Sequence, residues 1–114
     1  RIKTVLDLVD RLHPTPAVCG LPRQATRDWL HAHEDLDRGW YAGPIGWMNA
    51  DGDGEFWLAL RAGLIRQSRG DSADETARAR LYAGAGVVEG SSPESELAET
   101  RLKLRALLAP LTEI

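Results

Sequence analysis

Two glutamates and a lysine lie at helical spacing near the C-terminal end of the chain. Glu96, Glu99 and Lys103 are three and four positions apart, so on a helix their side chains share one face. Such a face could hold a hard divalent cation together with an anion. Ser92 and Pro93 precede it as an N-cap and a first helical residue. The same spacing also occurs on solvated helices, where a Glu–Lys pair is worth about 0.3 kcal/mol.

A second group of residues could bind a carboxylate. Gly84 and Gly86 lack a β-carbon, so their backbone N–H groups could approach an anion closely, although a twisted or bulged strand would also explain them. Arg61 lies late in a predicted strand, where its planar fork could grip a carboxylate or form an edge-strand salt bridge. Tyr41 and Tyr82 could donate hydroxyl groups to the same anion or pack half-buried.

One motif has the start of a calcium loop but predicts a turn. Residues 49–56 carry acidic or amide side chains and a glycine at the spacing of an EF-hand, yet position 12 of that loop is Leu60 instead of a bidentate glutamate. The flanking residues also have strand patterns, so we expect a plain hairpin turn. Cys19 is the single cysteine and is expected to be a buried thiol.

Composition limits the class of protein. The chain has 114 residues, of which 43% are hydrophobic and 27% are charged, enough for one modest core. A net charge of -3 argues against binding to nucleic acid or to an anionic membrane surface. The sequence has neither an apolar run of about 18 residues nor a signal-peptide pattern, so we expect a cytoplasmic protein. It enters an apolar helical pattern directly from Arg1, which favours a piece of a larger protein.

The predicted fold class is α+β, with antiparallel strands and flanking helices. A meander of about three strands would leave a sheet edge unpaired, which again favours a fragment. The patterns predict a helix over 2–12, an ordered loop over 13–21, a helix from 22 to about 35, strands over 40–50 and 55–65 joined by a turn at 51–54, a surface loop over 68–75, a strand over 79–88 and a helix from 93 to about 108.

Five motifs in this order resemble the C-terminal part of the isochorismate synthases, a branch of the chorismate-utilising enzymes. They are LHPTPAVCGLP at 12–22, DRGWYAGPIGW at 37–47, GDGEF with ALR within 52–61, YAGAGVV at 82–88 and the SPE-to-lysine helix start at 92–103. The resemblance covers residues 12–105. It implies that residues 1–114 form the C-terminal portion of a chorismate-binding catalytic domain, a fragment of the aminodeoxychorismate synthase-like two-sheet α/β fold.

The resemblance implies a Mg2+-dependent isomerase that converts chorismate to isochorismate. By position, Glu99 resembles a direct Mg2+ ligand, Glu96 a second or water-mediated ligand, and Lys103 the family's lysine near substrate and metal. The resemblance also implies which residues bind the two carboxylates of chorismate and which line the substrate pocket. It implies Gly84 and Gly86 as backbone donors to the ring carboxylate, Tyr41 and Arg61 as the pair holding the enolpyruvyl carboxylate, and Ala17, Val18 and Tyr82 as pocket lining.

Three groups of the family's site have no counterpart in this chain. The general-base lysine, the general-acid glutamate and a further glutamate ligand of the metal belong to segments upstream. We therefore expect the chain alone neither to turn over chorismate nor to bind Mg2+ tightly, and we expect the N-terminal part of the domain as its partner, in cis or as a separate chain. The alternatives are a degenerate, non-catalytic binding or interaction module and a salicylate synthase-type member. The pathway would be that of menaquinone, a siderophore or salicylate, and the first motif favours menaquinone.

Overall fold

The computed structural model describes residues 1–67 and 77–112, and it confirms the predicted α+β class. The predicted loop at 68–75 lies outside the described residues. Contacts divide the chain into two units, 1–59 and 60–114. The elements are helix α1 (Val5–Leu12), helix α2 (Arg23–His33), strand β1 (Pro44–Met48), strand β2 (Gly54–Leu58), strand β3 (Ala62–Gln67), strand β4 (Ala77–Tyr82) and helix α3 (Pro93–Thr112).

A capping box starts helix α1. The Thr4 backbone N–H donates to Asp7 Oδ2 at 2.9 Å, and the Asp7 N–H donates back to Thr4 Oγ1 at 3.3 Å. Backbone donation from Lys3 and Thr4 also lowers the pKa of the Asp7 carboxyl. The helix therefore begins at Val5, three residues later than the apolar pattern predicts, and it ends before Pro14 as expected.

Strands β1 and β2 form the predicted antiparallel hairpin, in which Gly46 pairs with Phe56. Its turn contacts the start of α1, because the Val5 N–H donates to the Gly52 carbonyl at 2.9 Å. Gly52 has φ +89°, and a β-carbon there would lie 2.9 Å from Thr4 Cγ2. This position therefore requires glycine for both its backbone conformation and its contact with the helix cap.

Replacing Gly52 by alanine is expected to lower the free energy of unfolding by about 2 kcal/mol, from left-handed strain plus the clash with Thr4. Gly90→Ala is the matched control, since Gly90 has φ +88° but open space around its α-carbon. We expect the control to cost about 1 kcal/mol, from strain alone. Urea denaturation followed by circular dichroism measures both variants, and equal losses would contradict the proposed contact.

The second unit consists of the antiparallel β3–β4 hairpin and helix α3, which packs on β4. The prediction of one strand over 55–65 in a three-stranded meander is wrong. The described residues instead form two separate two-stranded sheets, and the strand pattern is interrupted between β2 and β3. The cause is Arg61, whose φ of +48° lies in the left-handed region and cannot continue a strand. Arg61 therefore does not share a strand face with Trp57.

The predicted strand over 79–88 ends earlier, at Tyr82, and residues 83–88 have no regular structure. Glycine loses more conformational freedom on ordering than other residues, which weakens a strand at Gly84 and Gly86. The expected start of α3 is confirmed. Pro93 is its first residue, and the Glu96 N–H donates to the Ser92 carbonyl at 3.0 Å. The helix continues beyond the predicted end, to Thr112.

Few apolar side chains of the described residues are buried. They are Cys19, confirming the predicted buried thiol, Ala42 and Tyr82. Trp40, by contrast, is 85% exposed. Among the described helices, none combines the length and apolar character needed to cross a bilayer.

Candidate functional site

Lys103 of α3 contacts two other residues of the predicted site. Its Nζ donates to Glu99 Oε1, one helical turn earlier, and to the backbone carbonyl of Gly84 at 2.9 Å. The Lys103 side chain is 25% exposed and that of Glu99 is 51% exposed, so the lysine is partly buried while about half of the glutamate side chain is open to solvent. Lys103 therefore links the segment that contains Gly84, after β4, to Glu99, the predicted metal ligand.

The register of β3 and β4 brings two more predicted residues to the same end of this hairpin. Ala62, the first residue of β3, pairs with Tyr82, the last residue of β4. Arg61 immediately precedes Ala62, and the segment containing Gly84 follows Tyr82 directly. Tyr82 is buried at 7% exposure, which fits a packing residue of a pocket wall.

Carboxylates are the donors that Mg2+ prefers, and this ion commonly takes one or two of them while keeping several waters. Glu96 and Glu99 on α3 therefore fit it chemically. Within residues 1–67 and 77–112, no group of three or more His, Cys, Asp or Glu side chains is placed to hold a metal ion. Among the described residues, the predicted metal ligands Glu96 and Glu99 are thus a pair on a single helix.

Gly84 and Gly86, the two glycines of the predicted carboxylate site, have different surroundings. Gly84 contributes a carbonyl oxygen, which accepts from Lys103, whereas the resemblance implies its N–H as a donor to substrate. Gly86 is exposed, and a β-carbon at this position would meet no atom within 4 Å. The donor roles of both glycines stay predictions.

The first unit contains a cleft of about 580 Å³, within the usual range for small-ligand sites. Val18 and Tyr41, two residues of the predicted substrate site, line this cleft. Ala17, adjacent to Val18 in the chain, is exposed. Ala42 directly follows Tyr41, is buried, and has φ +64°. Left-handed backbone at a non-glycine residue is costly, and it occurs here next to Tyr41 and at Arg61 in the second unit.

Arg38 also lines this cleft, and sequence reasoning missed it as a site residue. Its guanidinium forms a two-point ion pair with Glu34, in which Nη2 lies 2.7 Å from Oε2, and Nη1 donates to the Val18 carbonyl at 2.9 Å. The guanidinium carbon lies 5.9 Å from the Tyr41 ring centroid, within the range of a cation–π contact. The available signal was the four-residue spacing of an acid and an arginine beyond the end of α2.

The free energy of unfolding should fall at acid pH, because protonation of Glu34 weakens its ion pair with Arg38. The hydrogen bond from Arg38 lowers the pKa of Glu34 below its usual 4.5, so this contribution is complete above that pH and is lost as pH falls through the lowered value. We expect Glu34→Gln to cost about 1 kcal/mol at pH 7 and progressively less as pH falls through the lowered pKa of Glu34. Urea denaturation of both proteins over a series of acid pH values measures this, and a pH-independent difference would contradict it.

A family model described as chorismate binding enzyme matches residues 2–112 of the chain. The chain belongs to the chorismate binding enzyme family. Among curated relatives, it is 46% identical to the salicylate biosynthesis isochorismate synthase of Pseudomonas aeruginosa over 96% of this chain. It is 44% identical to isochorismate synthase MenF of Bacillus subtilis over 95% of the chain, and 38% identical to the vibriobactin-specific isochorismate synthase of Vibrio cholerae over 91%.

The chain spans only part of each of these relatives. It covers 21% of the Pseudomonas and Bacillus proteins and 24% of the Vibrio protein. Membership of the chorismate binding enzyme family and similarity to isochorismate synthases, both expected from the five motifs, are thereby confirmed. The individual roles of the site residues stay predictions.

Proposed function

We propose that the chain is the C-terminal portion of the catalytic domain of an isochorismate synthase, which isomerises chorismate to isochorismate with Mg2+. The observation that carries this proposal is the pair of bonds from Lys103 to Glu99 and to the Gly84 carbonyl. These three residues come from two separate motifs, and a metal and carboxylate site needs them together. The relatives named isochorismate synthases support the same function.

The reaction needs a base beside the incoming water and an acid beside the departing hydroxyl, which are on different ring carbons. Water adds to one ring carbon and gives a proton to the base, the ring double bonds shift, and the departing hydroxide takes a proton from the acid. Since water is consumed and regenerated, the net reaction is an isomerisation. Each proton-transfer group typically contributes 10² to 10⁴ in rate, and both are expected from the upstream part of the domain.

In this proposal the residues of this chain bind and orient chorismate. As the resemblance implies, Arg61 and Tyr41 would bind the enolpyruvyl carboxylate, and the N–H groups of Gly84 and Gly86 would receive the ring carboxylate. Binding of both carboxylates fixes the chorismate ring relative to the attacking water. The substrate therefore loses its rotational freedom before the chemical step. Lys103, already bonded to Glu99, supplies a positive charge near the ring carboxylate.

Glu99, with Glu96 directly or through water, would hold Mg2+. The ion would neutralise carboxylate charge and stabilise the charge that develops on the ring. Further carboxylate ligation would come from outside this chain.

An exposed apolar sheet face supports an upstream partner, joined in cis or supplied by a separate chain. Helix α1 covers one face of the β1–β2 hairpin, as the Val5 side chain lies over Gly54. On the opposite face Ile45 pairs with Trp57, next to Trp47, and these side chains are 52%, 58% and 55% exposed. Apolar faces of this kind are normally buried against protein.

The test uses a joined protein, in which this chain replaces the aligned 110 residues of the Pseudomonas relative. With chorismate and Mg2+, we expect the joined protein to form isochorismate, detected by chromatography against a standard, and the chain alone to form none. A second joined protein, built on the Bacillus relative, guards against a junction that does not fold. Both unaltered relatives are positive controls.

Three outcomes would overturn parts of this proposal. Turnover of chorismate by the chain alone would contradict the expectation that the general acid and the general base come from the upstream part of the domain. Salicylate as the direct product would favour a salicylate synthase-type member. Two folded but inactive joined proteins would favour a non-catalytic module.

A further inference from the structure

Arg38 connects three separate parts of the first unit. Its guanidinium bonds to the Glu34 carboxylate on one side, to the Val18 carbonyl on another, and lies against the Tyr41 ring. Its own carbonyl accepts from the Tyr41 N–H at 2.9 Å. One side chain thus contacts the loop before α2, the end of α2 and the loop before β1.

The two charged side chains are partly shielded from bulk water. Arg38 is 29% exposed and Glu34 is 28% exposed, and the hydrogen bonds between them raise the pKa of Arg38 and lower that of Glu34. Glu34 is the C-cap of α2 and has an extended backbone. The Glu34–Arg38 ion pair therefore joins the end of the helix to the following loop and does not lie along the surface of a helix. Such a pair restricts the guanidinium to one orientation.

The contacts of Arg38 coincide with the residues proposed to bind chorismate. Val18 and Tyr41 line the cleft together with Arg38. A shift of the guanidinium would therefore move both the Val18 backbone and the Tyr41 ring, although Arg38 need not touch the substrate.

We propose that Arg38, oriented by Glu34, is a positioning residue that fixes Tyr41 and the Val18 backbone for binding of the substrate carboxylate. This inference rests on the proposed function. Lysine cannot replace arginine here, because an ammonium lacks the planar fork that serves a carboxylate and a carbonyl at once.

The first experiment compares Arg38→Lys and Glu34→Gln with the joined protein. We expect KM for chorismate to rise about tenfold while kcat changes less than about threefold, since the lost interaction orients the substrate before and during reaction alike. Arg11→Lys is the matched control, because Arg11 is an exposed arginine at the end of α1 whose side chain is outside the proposed site. Its kinetics should stay within about twofold.

A charge swap separates positioning from stability. Glu34→Arg combined with Arg38→Glu restores an ion pair but leaves the Val18 carbonyl and the Tyr41 ring without their guanidinium. We expect the urea midpoint to recover relative to the single variants, while KM stays raised. Recovery of both would show that the pair is only structural and would overturn the inference.

Failure of this inference is distinguishable from failure of the proposed function. If the unaltered joined proteins form no isochorismate, the proposed function fails. If they are active and Arg38→Lys keeps the same KM, the positioning function of Arg38 fails while the proposed function stands. The milder lysine variant also keeps the test decisive should the charge swap not fold.

Discussion

Changing Glu99 to glutamine is expected to lower kcat/KM of the joined protein by about 100-fold or more. Loss of one carboxylate from a magnesium site removes several kcal/mol of charge stabilisation, and each 1.36 kcal/mol corresponds to a factor of ten. Glutamine has nearly the same shape but no negative charge. The measurement is steady-state kinetics of isochorismate formation at saturating Mg2+.

A control on the same helix tests whether any lost carboxylate has this effect. Glu94 lies in the first turn of α3, where its carboxylate accepts from Ser92 Oγ at 2.8 Å. Glu94→Gln should keep activity within about twofold, because this carboxylate is outside the proposed metal site. Near-normal activity of Glu99→Gln would contradict the metal role of Glu99.

Glu99 also bonds to Lys103, so its loss could act through the lysine alone. Titration with Mg2+ separates the two explanations. A ligand role predicts that the Mg2+ concentration for half-maximal activity rises at least about tenfold in Glu99→Gln. An effect through Lys103 alone would leave that concentration unchanged while kcat falls.

The sequence predicted well those features that depend on local chemistry. The start of α3 follows from side-chain capping, in which the Ser95 N–H donates to Ser92 Oγ at 3.4 Å, and from the fixed φ of Pro93. The β1–β2 turn follows from its glycine and aspartate residues. The i,i+4 spacing of Glu99 and Lys103 predicted a shared helix face, and their contact confirms it. These features need only neighbours along the chain.

Features that depend on distant contacts or backbone strain were missed. Alternating side chains continue through Arg61 in the sequence, but its left-handed backbone divides the run into two strands. The contact of Arg38 with Val18 joins residues twenty positions apart, which no periodicity encodes. The bond from Lys103 to the Gly84 carbonyl is likewise a product of tertiary packing.

Changing Arg61 to glycine is expected to separate stability from activity. Glycine adopts φ +48° without strain, so the free energy of unfolding should stay the same or rise by up to about 1 kcal/mol. Loss of the guanidinium that would hold the enolpyruvyl carboxylate should lower kcat/KM by about 100-fold or more, since removing one member of a hydrogen-bonded charge pair costs about 2 to 5 kcal/mol. Urea denaturation and steady-state kinetics of the joined protein measure the two effects.

The matched control for Arg61→Gly is Arg66→Gly, an exposed arginine within β3 whose backbone is extended. This change should show the opposite pattern, with a loss of stability of about 1 kcal/mol because glycine weakens a strand, and kinetics within about twofold. Added guanidinium ion should partly restore activity to Arg61→Gly, because the vacated space and the substrate carboxylate can accept the same planar cation. A stable Arg61→Gly protein with normal kinetics would contradict the assignment, since the strained backbone at Arg61 would then serve no substrate contact.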